Sequence, residues 1–347
     1  MKEKKQVKQN VLVTGGTGYL GSWIIQIFAE NNWQVSTTVR KNTKPENLAV
    51  FNKIKSSTGK DIKIFHADLL EEGSFAEAIE QADVIIHSAS PFLAFGSKEP
   101  QKELVDPAVK GTENVLRSVA KSGKKRIVLT SSVAAMFGDG REVSGKTIDE
   151  SNWNQVSSVE YRPYEYSKTV AEKKAWVLAD SLNLDLVVIN PAFILGPALT
   201  QRQDSSSIGI MNDFVSGKYK SGLPDTSIGI VDVRDVAMAH FLAATNLELK
   251  GRNIICAKTI RFIEMAEVIR EKLGKKEPVP KRLVPKFLFW LLAPLFGIER
   301  AYVVGNVGYH FDISNEKSKR KMGLEYRDWR ETVVEHYNQL KAINNRR

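Results

Sequence analysis

Short apolar runs that favour β-structure alternate with longer segments of helical periodicity along residues 11–190. The apolar runs predict six strands, at residues 11–14, 34–39, 62–66, 84–87, 126–130 and 186–190. The helical patterns predict helices at residues 20–30, 74–81, 105–121 and 164–181. Alternating strands and helices form a parallel sheet with right-handed crossovers. The pattern therefore predicts an α/β fold, with a doubly wound parallel sheet covered by helices on both faces.

The alternation ends after Pro191. Gly196-Pro197 and two stretches rich in polar residues or glycine, 200–207 and 217–224, interrupt the remaining helical segments. Residues 231–245 then have the pattern of a strand end leading into a helix that returns to the main sheet. We therefore predict two interleaved units, a large domain and a smaller C-terminal substrate-binding lobe: residues 8–190 with about 225–250, and about 191–224 with 251–340.

The composition is consistent with a core of this size, since 42% of the 347 residues are hydrophobic. Cys256 is the only cysteine, which excludes an intrachain disulfide and a metal site built from thiolates. A single cysteine also fits a reducing, cytoplasmic location. The charged N-terminal residues lack the apolar run of a signal peptide, so secretion is not expected. No metal site is predicted.

A formal charge of +10 is compatible with nucleic acid, a membrane surface or an anionic small ligand as partner. No nucleic-acid-binding motif accompanies the charge. The most apolar later stretch, 287–296, has about half the length of a membrane-spanning helix and is more typical of packing or surface docking. Residues 281–296 have basic flanks and an apolar centre, and could dock on a membrane or cap a cleft. We expect neither nucleic acid nor a membrane as partner.

The first predicted strand runs into a glycine-rich turn where a helix should begin, with the sequence Thr14-Gly15-Gly16-Thr17-Gly18-Tyr19-Leu20-Gly21. Gly15 permits the tight turn, Gly18 lets the backbone approach a pyrophosphate, and Gly21 lets the helix lie close to the strand. The N–H groups at the start of the helix can bind phosphate. This context of strand, turn and helix predicts a Rossmann-type dinucleotide-binding domain.

The residues after the second strand indicate which dinucleotide binds. NAD-binding proteins often place a carboxylate there to bind the ribose hydroxyls, whereas this chain has Arg40, Lys41 and Lys44 and no acid between residues 39 and 44. Such cations can pair with a 2′-phosphate, so NADPH is predicted in preference to NADH. Arg40 is the strongest candidate, because the two lysines have the alternative of beginning a solvated helix.

The ends of two further strands carry candidate cofactor contacts. Asp68, followed by Leu69, can accept a hydrogen bond from an adenine amino group, and a plain loop aspartate is the alternative. The small residues at 88–90 would let the backbone run beside a cofactor. His87, just before them, is expected to be a packed core histidine rather than a catalyst.

Two serines and a tyrosine–lysine pair are candidates for chemistry. Ser131 and Ser132 end the fifth strand, and Tyr164 and Lys168 begin the next long helix, where their spacing places them on one face. An ammonium beside a phenol is expected to lower the phenol's pKa from about 10, making it a better acid for an alkoxide formed by hydride addition. Ser132 can hydrogen-bond the substrate oxygen, and Ser131 is the alternative.

These motifs resemble those of the extended short-chain dehydrogenase/reductases, especially the branch of dihydroflavonol reductases, cinnamoyl-CoA reductases and yeast-type methylglyoxal or aldehyde reductases. The resemblance covers about residues 11–334. Besides the glycine turn, the segments that carry it are His87-Ser88-Ala89-Ser90-Pro91-Phe92, Leu129-Thr130-Ser131-Ser132, Tyr164 to Trp176, Asn190-Pro191-Ala192-Phe193 with Gly196-Pro197, and Asp232-Val233-Arg234-Asp235-Val236-Ala237.

The resemblance implies a role for particular residues. Ser132, Tyr164 and Lys168 are implied as the catalytic set, with Arg40 and Lys44 on the 2′-phosphate. The implied apolar walls of the substrate pocket are Phe92, Phe137 and Phe193, each of which also fits an ordinary core position. The complete predicted set of cofactor contacts is Thr14, Gly15, Thr17, Gly18, Tyr19, Leu20, Gly21, Arg40, Lys44, Asp68, Leu69, Ser88, Ala89, Ser90, Thr130, Ser131, Tyr164, Lys168, Pro191, Ala192 and Phe193.

The leading hypothesis is NADPH-dependent reduction of an aldehyde or ketone to an alcohol, with Tyr164 as the acid, in a monomer or homodimer. Ala108 stands where many relatives have asparagine, which puts a proton relay through that position in doubt. One alternative is an NAD(P)-dependent nucleotide-sugar epimerase or dehydratase, which the cations after the second strand disfavour. The other is a non-catalytic NADPH-binding module, which the presence of both Tyr164 and Lys168 disfavours.

Overall fold

The computed structural model describes residues 9–90, 99–123, 126–202 and 204–345. Its strands, in chain order, are β1 (Asn10–Thr14), β2 (Gln34–Val39), β3 (Ile62–His66), β4 (Val84–His87), β5 (Arg126–Thr130), β6 (Thr147–Ile148), β7 (Asp185–Pro191), β8 (Phe193–Leu195), β9 (Ser227–Asp232), β10 (Gly251–Ile255), β11 (Lys258–Arg261) and β12 (Asp312–Ile313). Its α-helices are α1 (Tyr19–Glu30), α2 (Pro45–Thr58), α3 (Ala76–Glu80), α4 (Asp106–Lys121), α5 (Pro163–Ser181), α6 (Ser206–Val215), α7 (Val233–Thr245), α8 (Phe262–Leu273), α9 (Lys286–Leu292), α10 (Arg300–Asn306), α11 (Glu316–Met322) and α12 (Trp329–Asn344). A π-helical turn (Gln101–Val105) precedes α4, and two 3₁₀ turns are Val133–Ala135 and Ala293–Phe296.

Seven strands form one parallel sheet in the order β10-β7-β5-β4-β1-β2-β3. The direction of winding reverses beside β1, because the chain first moves outward to β3 and then returns to β4 on the other side of β1. Successive residues of a strand point to opposite faces. Accordingly, Val11 and Val13 enter one hydrophobic core, and Leu12 enters another. Burial on both faces explains why the middle of β1 is a continuous apolar run.

Helices cover both faces of the large sheet, as predicted. α1, α2 and α7 pack on one face, where Phe28 and Ala239 are fully buried. α3, α4 and α5 pack on the other, where Leu116 and Leu178 lie in the second core. The predicted Rossmann-type α/β fold is therefore confirmed.

A smaller unit is built on a three-stranded sheet with the order β11-β9-β8. Helices α6, α8 and α12 enclose a third core on this sheet, to which they contribute Phe214, Ile269 and Tyr337. β6 and β12 form a two-stranded sheet. Ala293, Val303 and Val307 form a small separate cluster around α10.

The six predicted strands and four predicted helices are present, with ends shifted by at most two residues. The helix predicted up to residue 245 is α7, which packs against α1 on the large sheet. One boundary differs: β10 pairs with β7 in the large sheet, beyond the predicted limit of the domain near residue 250. The division into a dinucleotide-binding domain and a substrate-binding lobe stays a prediction. Within the described ranges, no helix combines the length and apolarity that crossing a bilayer requires.

Candidate active site

A crevice of about 1420 Å³ opens where the carboxyl ends of the large sheet face the smaller unit. This is where ligands bind in open α/β sheets, because loops from several strands converge there. We call its wall of residues 15, 17–21, 38–40, 42–44, 67–70 and 88–90 the glycine-turn side. We call its opposite wall the lobe side, whose larger members are Phe137, Arg162, Phe193, Phe262, Tyr302 and Phe311.

The backbone of the glycine turn packs so closely that side chains at Gly15 and Gly21 would not fit. Gly15 has φ of +76°, and a Cβ atom there would lie 2.9 Å from the Cα of Ala89. At Gly21, a Cβ atom would lie 2.3 Å from the carbonyl oxygen of Gly15, so helix α1 packs directly on the turn. The Gly18 N–H donates to the same carbonyl (3.0 Å), and no side chain caps the start of α1. Backbone that approaches so closely fits a dinucleotide pyrophosphate.

Thr14 is one predicted cofactor contact that does not line the crevice. It is fully buried, and its hydroxyl lies 2.9 Å from Nδ1 of His87 and accepts from the Ala89 N–H at 3.0 Å. Thr14 therefore fixes β1 to the end of β4 behind the crevice. His87 is also buried, and burial together with the nearby Lys168 charge lowers its pKa to about 3. It is a neutral core histidine, as the sequence analysis expected.

The cations predicted to bind a 2′-phosphate lie beside the crevice. Arg40 and Lys44 both line it, and Lys44 lies 3.9 Å from Glu46 in an exposed ion pair. Lys41 is not among the lining residues. Asp68 lines the crevice too, where its Oδ1 accepts from the Leu70 N–H at 2.9 Å. One oxygen of this carboxylate is therefore used in its own loop.

The predicted catalytic side chains converge at the edge of the sheet. The Ser132 hydroxyl forms a hydrogen bond with the Tyr164 phenol. The Lys168 ammonium lies 5.7 Å from the centre of the Tyr164 ring and donates to the Ser90 hydroxyl at 3.1 Å. Ser131, the alternative to Ser132, donates instead to the Glu172 carboxylate at 2.5 Å. The structure therefore places Ser132 rather than Ser131 beside the phenol.

The pKa of the phenol differs from the expectation. Burial raises the pKa of Tyr164 well above its usual value, and the negative charge of Glu165 adds to this, while the Ser132 hydrogen bond opposes it. Burial also lowers the pKa of Lys168 to about 8. The predicted lowering of the phenol's pKa was therefore wrong for this structure, because loss of water around the phenol is the largest influence on that pKa and raises it.

One buried carboxylate fixes helix α5 to the sheet. Glu172 accepts hydrogen bonds from Ser131 of the segment after β5, from Asn190 of β7 (2.8 Å) and from the Arg252 guanidinium of β10 (2.6 Å). The carboxylate is fully buried, and its pairing with the almost fully buried Arg252 compensates for the loss of water. These bonds hold the helix that carries Tyr164 and Lys168 against three neighbouring strands.

The lobe side is assembled from aromatic and polar side chains. Phe137 packs on Phe311 with their ring centres 4.9 Å apart. Arg162, at φ +60° just before α5, pairs with Glu165 and lies over the Tyr302 ring at 5.1 Å. These groups give the lobe side an apolar lining that also carries a guanidinium and a phenol.

The family model of the NAD dependent epimerase/dehydratase family matches residues 11–257, more than half of the chain. The chain belongs to this family. Its members are the extended short-chain dehydrogenase/reductases, so the resemblance seen in the sequence motifs is confirmed. The chain is 33% identical to cinnamoyl-CoA reductase CAD2 of Medicago truncatula over 335 residues, which cover 95% of both chains. It is 37% identical to tetraketide alpha-pyrone reductase 2 of Arabidopsis thaliana over 270 residues, 75% of this chain and 82% of that one.

Solved structures of the family share the fold over almost the whole chain. Gre2 of Candida albicans, solved in complex with NADPH, superposes with a TM-score of 0.78 at 26% identity and covers 98% of this chain and all of its own. The extended short-chain dehydrogenase/reductase fold therefore includes the smaller unit as well as the large sheet.

Most of the predicted site residues line the same crevice. All predicted cofactor contacts except Thr14 line the crevice, as do Ser132, Phe137 and Phe193. Phe92 lies outside the described residues. The sequence analysis missed Arg162 and Tyr302 on the lobe side, and it missed Arg202, which donates to the Thr17 hydroxyl at 3.0 Å and pairs with Asp204. Only their positions, just before Tyr164 or inside the polar stretch 200–207, could have pointed to these arginines.

Proposed function

We propose that this chain is an NADPH-dependent reductase that converts an aldehyde or ketone to an alcohol, with Tyr164 as the proton donor. The observation that carries the proposal is the hydrogen bond between Ser132 and Tyr164, with the Lys168 ammonium beside the phenol, in the crevice that the glycine turn borders. The similarity to two named reductases over three quarters or more of the chain supports the same reaction class.

Three features support NADPH as the cofactor. The glycine turn leaves room for a pyrophosphate, and the start of α1 offers uncapped N–H groups. Arg40 and Lys44 line the crevice and would pair with a 2′-phosphate, and the segment between residues 39 and 44 has no carboxylate to bind a bare ribose. The similar Gre2 fold was solved with NADPH. When bound, NADPH would supply a hydride to the carbonyl carbon.

Side chains of the protein would bind the carbonyl oxygen of the substrate and supply its proton. The Ser132 and Tyr164 hydroxyls together can donate to the carbonyl oxygen and stabilise the charge that develops on it. Because burial raises the pKa of Tyr164, the phenol remains protonated at neutral pH and can transfer its proton to the alkoxide. Lys168 holds the Ser90 hydroxyl and positions positive charge beside the phenol.

The lobe side suits a carbonyl compound with an apolar body. Phe137 and Phe311 form one aromatic wall, and Phe193 and Phe262 also line the crevice. Arg162 and Tyr302 also line the crevice, so they would supply polar groups to such a compound. On this proposal, the glycine-turn side binds the cofactor and the lobe side selects the carbonyl compound.

The test is to follow the loss of NADPH absorbance with a panel of aldehydes and ketones. Tyr164→Phe should lower kcat by about 10²–10⁴-fold, the usual contribution of a positioned acid, and leave NADPH binding within a few-fold of wild type. Tyr166→Phe is the matched control, because it removes a hydroxyl from the same helix but from a residue that does not line the crevice.

Normal turnover by Tyr164→Phe would show that another group donates the proton. A wild-type protein that binds NADPH and reduces no member of the panel would refute the reductase assignment. Conversion of a nucleotide sugar without net use of NADPH would favour an epimerase instead.

A further inference from the structure

Helix α9 presents apolar side chains to solvent. None of its residues is buried, although its sequence is Lys-Phe-Leu-Phe-Trp-Leu-Leu. Phe287 is 74% exposed, Leu291 is 56% exposed, and Leu295 in the following 3₁₀ turn is 80% exposed. Phe287 and Leu291 are four residues apart and therefore lie on one side of α9. Together with Leu295 of the turn that follows, they form the group that we call the stripe. The sequence analysis expected packing or surface docking for this stretch: Phe289 packs against the small cluster around α10, whereas most of its large apolar side chains remain exposed.

This stripe belongs to a larger apolar face. Among the described residues, eleven large hydrophobic side chains are exposed, and six of them fall between residues 287 and 304. These six define the apolar face: Phe287, Leu288, Trp290, Leu291, Leu295 and Val304. Single exposed hydrophobic residues are common, but a concentration of this kind marks a surface that contacts another phase or molecule.

The charges around the apolar face are almost all positive. Between residues 281 and 304, the chain has four basic residues and one acidic residue, Glu299. The four basic residues are all exposed: Lys281, Arg282, Lys286 and Arg300. Arg300 stacks over the Trp290 ring at 4.4 Å. Aromatic and aliphatic side chains bordered by cations are typical of segments that lie in the interface of an anionic membrane.

The apolar face is also connected to the crevice. α10 exposes Val304 on its outer side, while Tyr302 and Asn306 line the crevice on its inner side. Lys286 at the start of α9 donates to the Val307 carbonyl just after α10, at 2.7 Å. None of the described side chains between residues 281 and 295 lines the crevice, so the hypothesis that this segment caps the cleft is not supported.

We propose that residues 281–304 dock this protein on the surface of an anionic phospholipid bilayer. The stripe of Phe287, Leu291 and Leu295 enters the acyl boundary, and the flanking cations contact the lipid headgroups. The proposal replaces the expectation that no membrane is a partner, and it does not depend on the reductase assignment. A symmetric contact between two copies fits less well, because it would bring the four positive charges of each copy together with only one acidic residue, Glu299, in each segment to pair with them.

The experiment measures sedimentation of the full chain with phosphatidylcholine vesicles and with vesicles that also contain phosphatidylserine. We expect sedimentation with the anionic vesicles that decreases as salt is raised. The double variant Phe287→Ser with Leu295→Ser should bind at least about tenfold more weakly, because two large apolar side chains no longer enter the bilayer. Both positions are highly exposed, so the fold should be retained.

The matched control is Val177→Ser with Leu247→Ser, which removes two side chains of similar exposure elsewhere (65% and 63%) and should bind like wild type. Absence of sedimentation with anionic vesicles, or unchanged binding by the Phe287/Leu295 variant, would overturn the proposal. So would light scattering that shows a dimer lost in that variant without any vesicle binding. NADPH turnover with a water-soluble carbonyl compound should be equal in all three proteins, which separates docking from catalysis.

Discussion

The glycine-turn side of the crevice is formed largely by backbone, whereas the lobe side is formed by side chains from segments far apart in the sequence. Gly15 and Gly21 are needed because the space of a side chain is already occupied by other backbone atoms. Phe137 and Phe311, by contrast, meet through packing between elements 174 positions apart. We therefore expect the two sides to respond differently to substitution. Substitutions in the glycine turn should cause large losses of stability and cofactor affinity, whereas substitutions on the lobe side should change KM for the carbonyl compound by small steps.

Gly21→Ala should have the largest effect. Its Cβ would lie 2.3 Å from the Gly15 carbonyl oxygen, so the turn or the helix must shift. We expect a loss of about 1–3 kcal/mol in the free energy of unfolding and at least about a tenfold loss of NADPH affinity, measured by urea unfolding and fluorescence titration. Gly209→Ala in α6 is the control, since a Cβ there meets no atom within 4 Å. Equal behaviour of both variants would contradict the proposed rigidity of the turn.

Lys168→Met tests the position where the two sides meet. Burial lowers the pKa of Lys168 to about 8 from 10.5, so below pH 8 the folded protein holds a poorly solvated charge. The variant should then be more stable than wild type at pH 7 by about 1–3 kcal/mol, although it should lose activity.

The stability difference between wild type and Lys168→Met should depend on pH with a definite sign. Between pH 8 and 10.5 the unfolded wild-type chain binds more protons than the folded one, so wild-type stability rises relative to the variant as pH increases. The gain should therefore disappear above pH 10.5. Urea unfolding of both proteins across this range is the measurement, and a variant less stable than wild type at pH 7 would contradict the desolvation argument.

Arg40→Ala tests a side chain of the glycine-turn side, which is otherwise formed largely by backbone. Loss of a charge-assisted hydrogen bond of about 1.5 kcal/mol should weaken NADPH binding about tenfold. NADH binding should change little, because NADH lacks the 2′-phosphate. Lys41→Ala is the matched control, since Lys41 does not line the crevice. Equal losses for both cofactors in the Arg40 variant would argue against contact with the 2′-phosphate.

Phe137→Ala should have the smallest effect. It removes an aromatic contact with Phe311, typically about 0.5–1.5 kcal/mol beyond the area that is buried. We expect KM for carbonyl compounds with large apolar groups to rise about two- to fivefold, with kcat and the KM for NADPH unchanged. Steady-state kinetics on small and large carbonyl compounds would measure this. A collapse of kcat would show that the lobe side also fixes the reacting geometry.

The same contrast explains which elements of the fold could be predicted from sequence. Five of the six predicted strands are buried on both faces and are therefore runs of mostly apolar or β-branched residues. The edge strand β3 is partly exposed, but Ile62, Ile64 and Phe65 still mark it in the sequence. β10 was missed because its sequence contains Arg252 and Asn253, two polar residues in a buried strand. Arg252 is tolerated there because Glu172 pairs with it and backbone carbonyls accept its remaining hydrogen bonds, and these partners cannot be recognised from the local pattern. α2 was missed since it buries few side chains.

The site residues also fall into two groups, those that the sequence indicates and those that only the folded structure brings together. The glycine turn and the Tyr164–Lys168 pair depend on short spacings within one element, so the sequence alone indicates them. Arg162 and Tyr302 come together only when α10 packs beside the start of α5. The raised pKa of Tyr164 follows from burial by distant segments, which residue spacing does not reveal.

The hydrogen bonds of the Glu172 carboxylate bear on which mutations could change the substrate of this protein. It anchors α5 through β7, β10 and the segment after β5, and none of these bonds involves the lobe side. If Tyr164 is the proton donor as proposed, mutations among the aromatic residues of the lobe side would alter which molecules are accepted while Tyr164 keeps its position beside Ser132. A chain arranged in this way can acquire new substrates by exchanging one set of side chains, without losing the reaction it already performs.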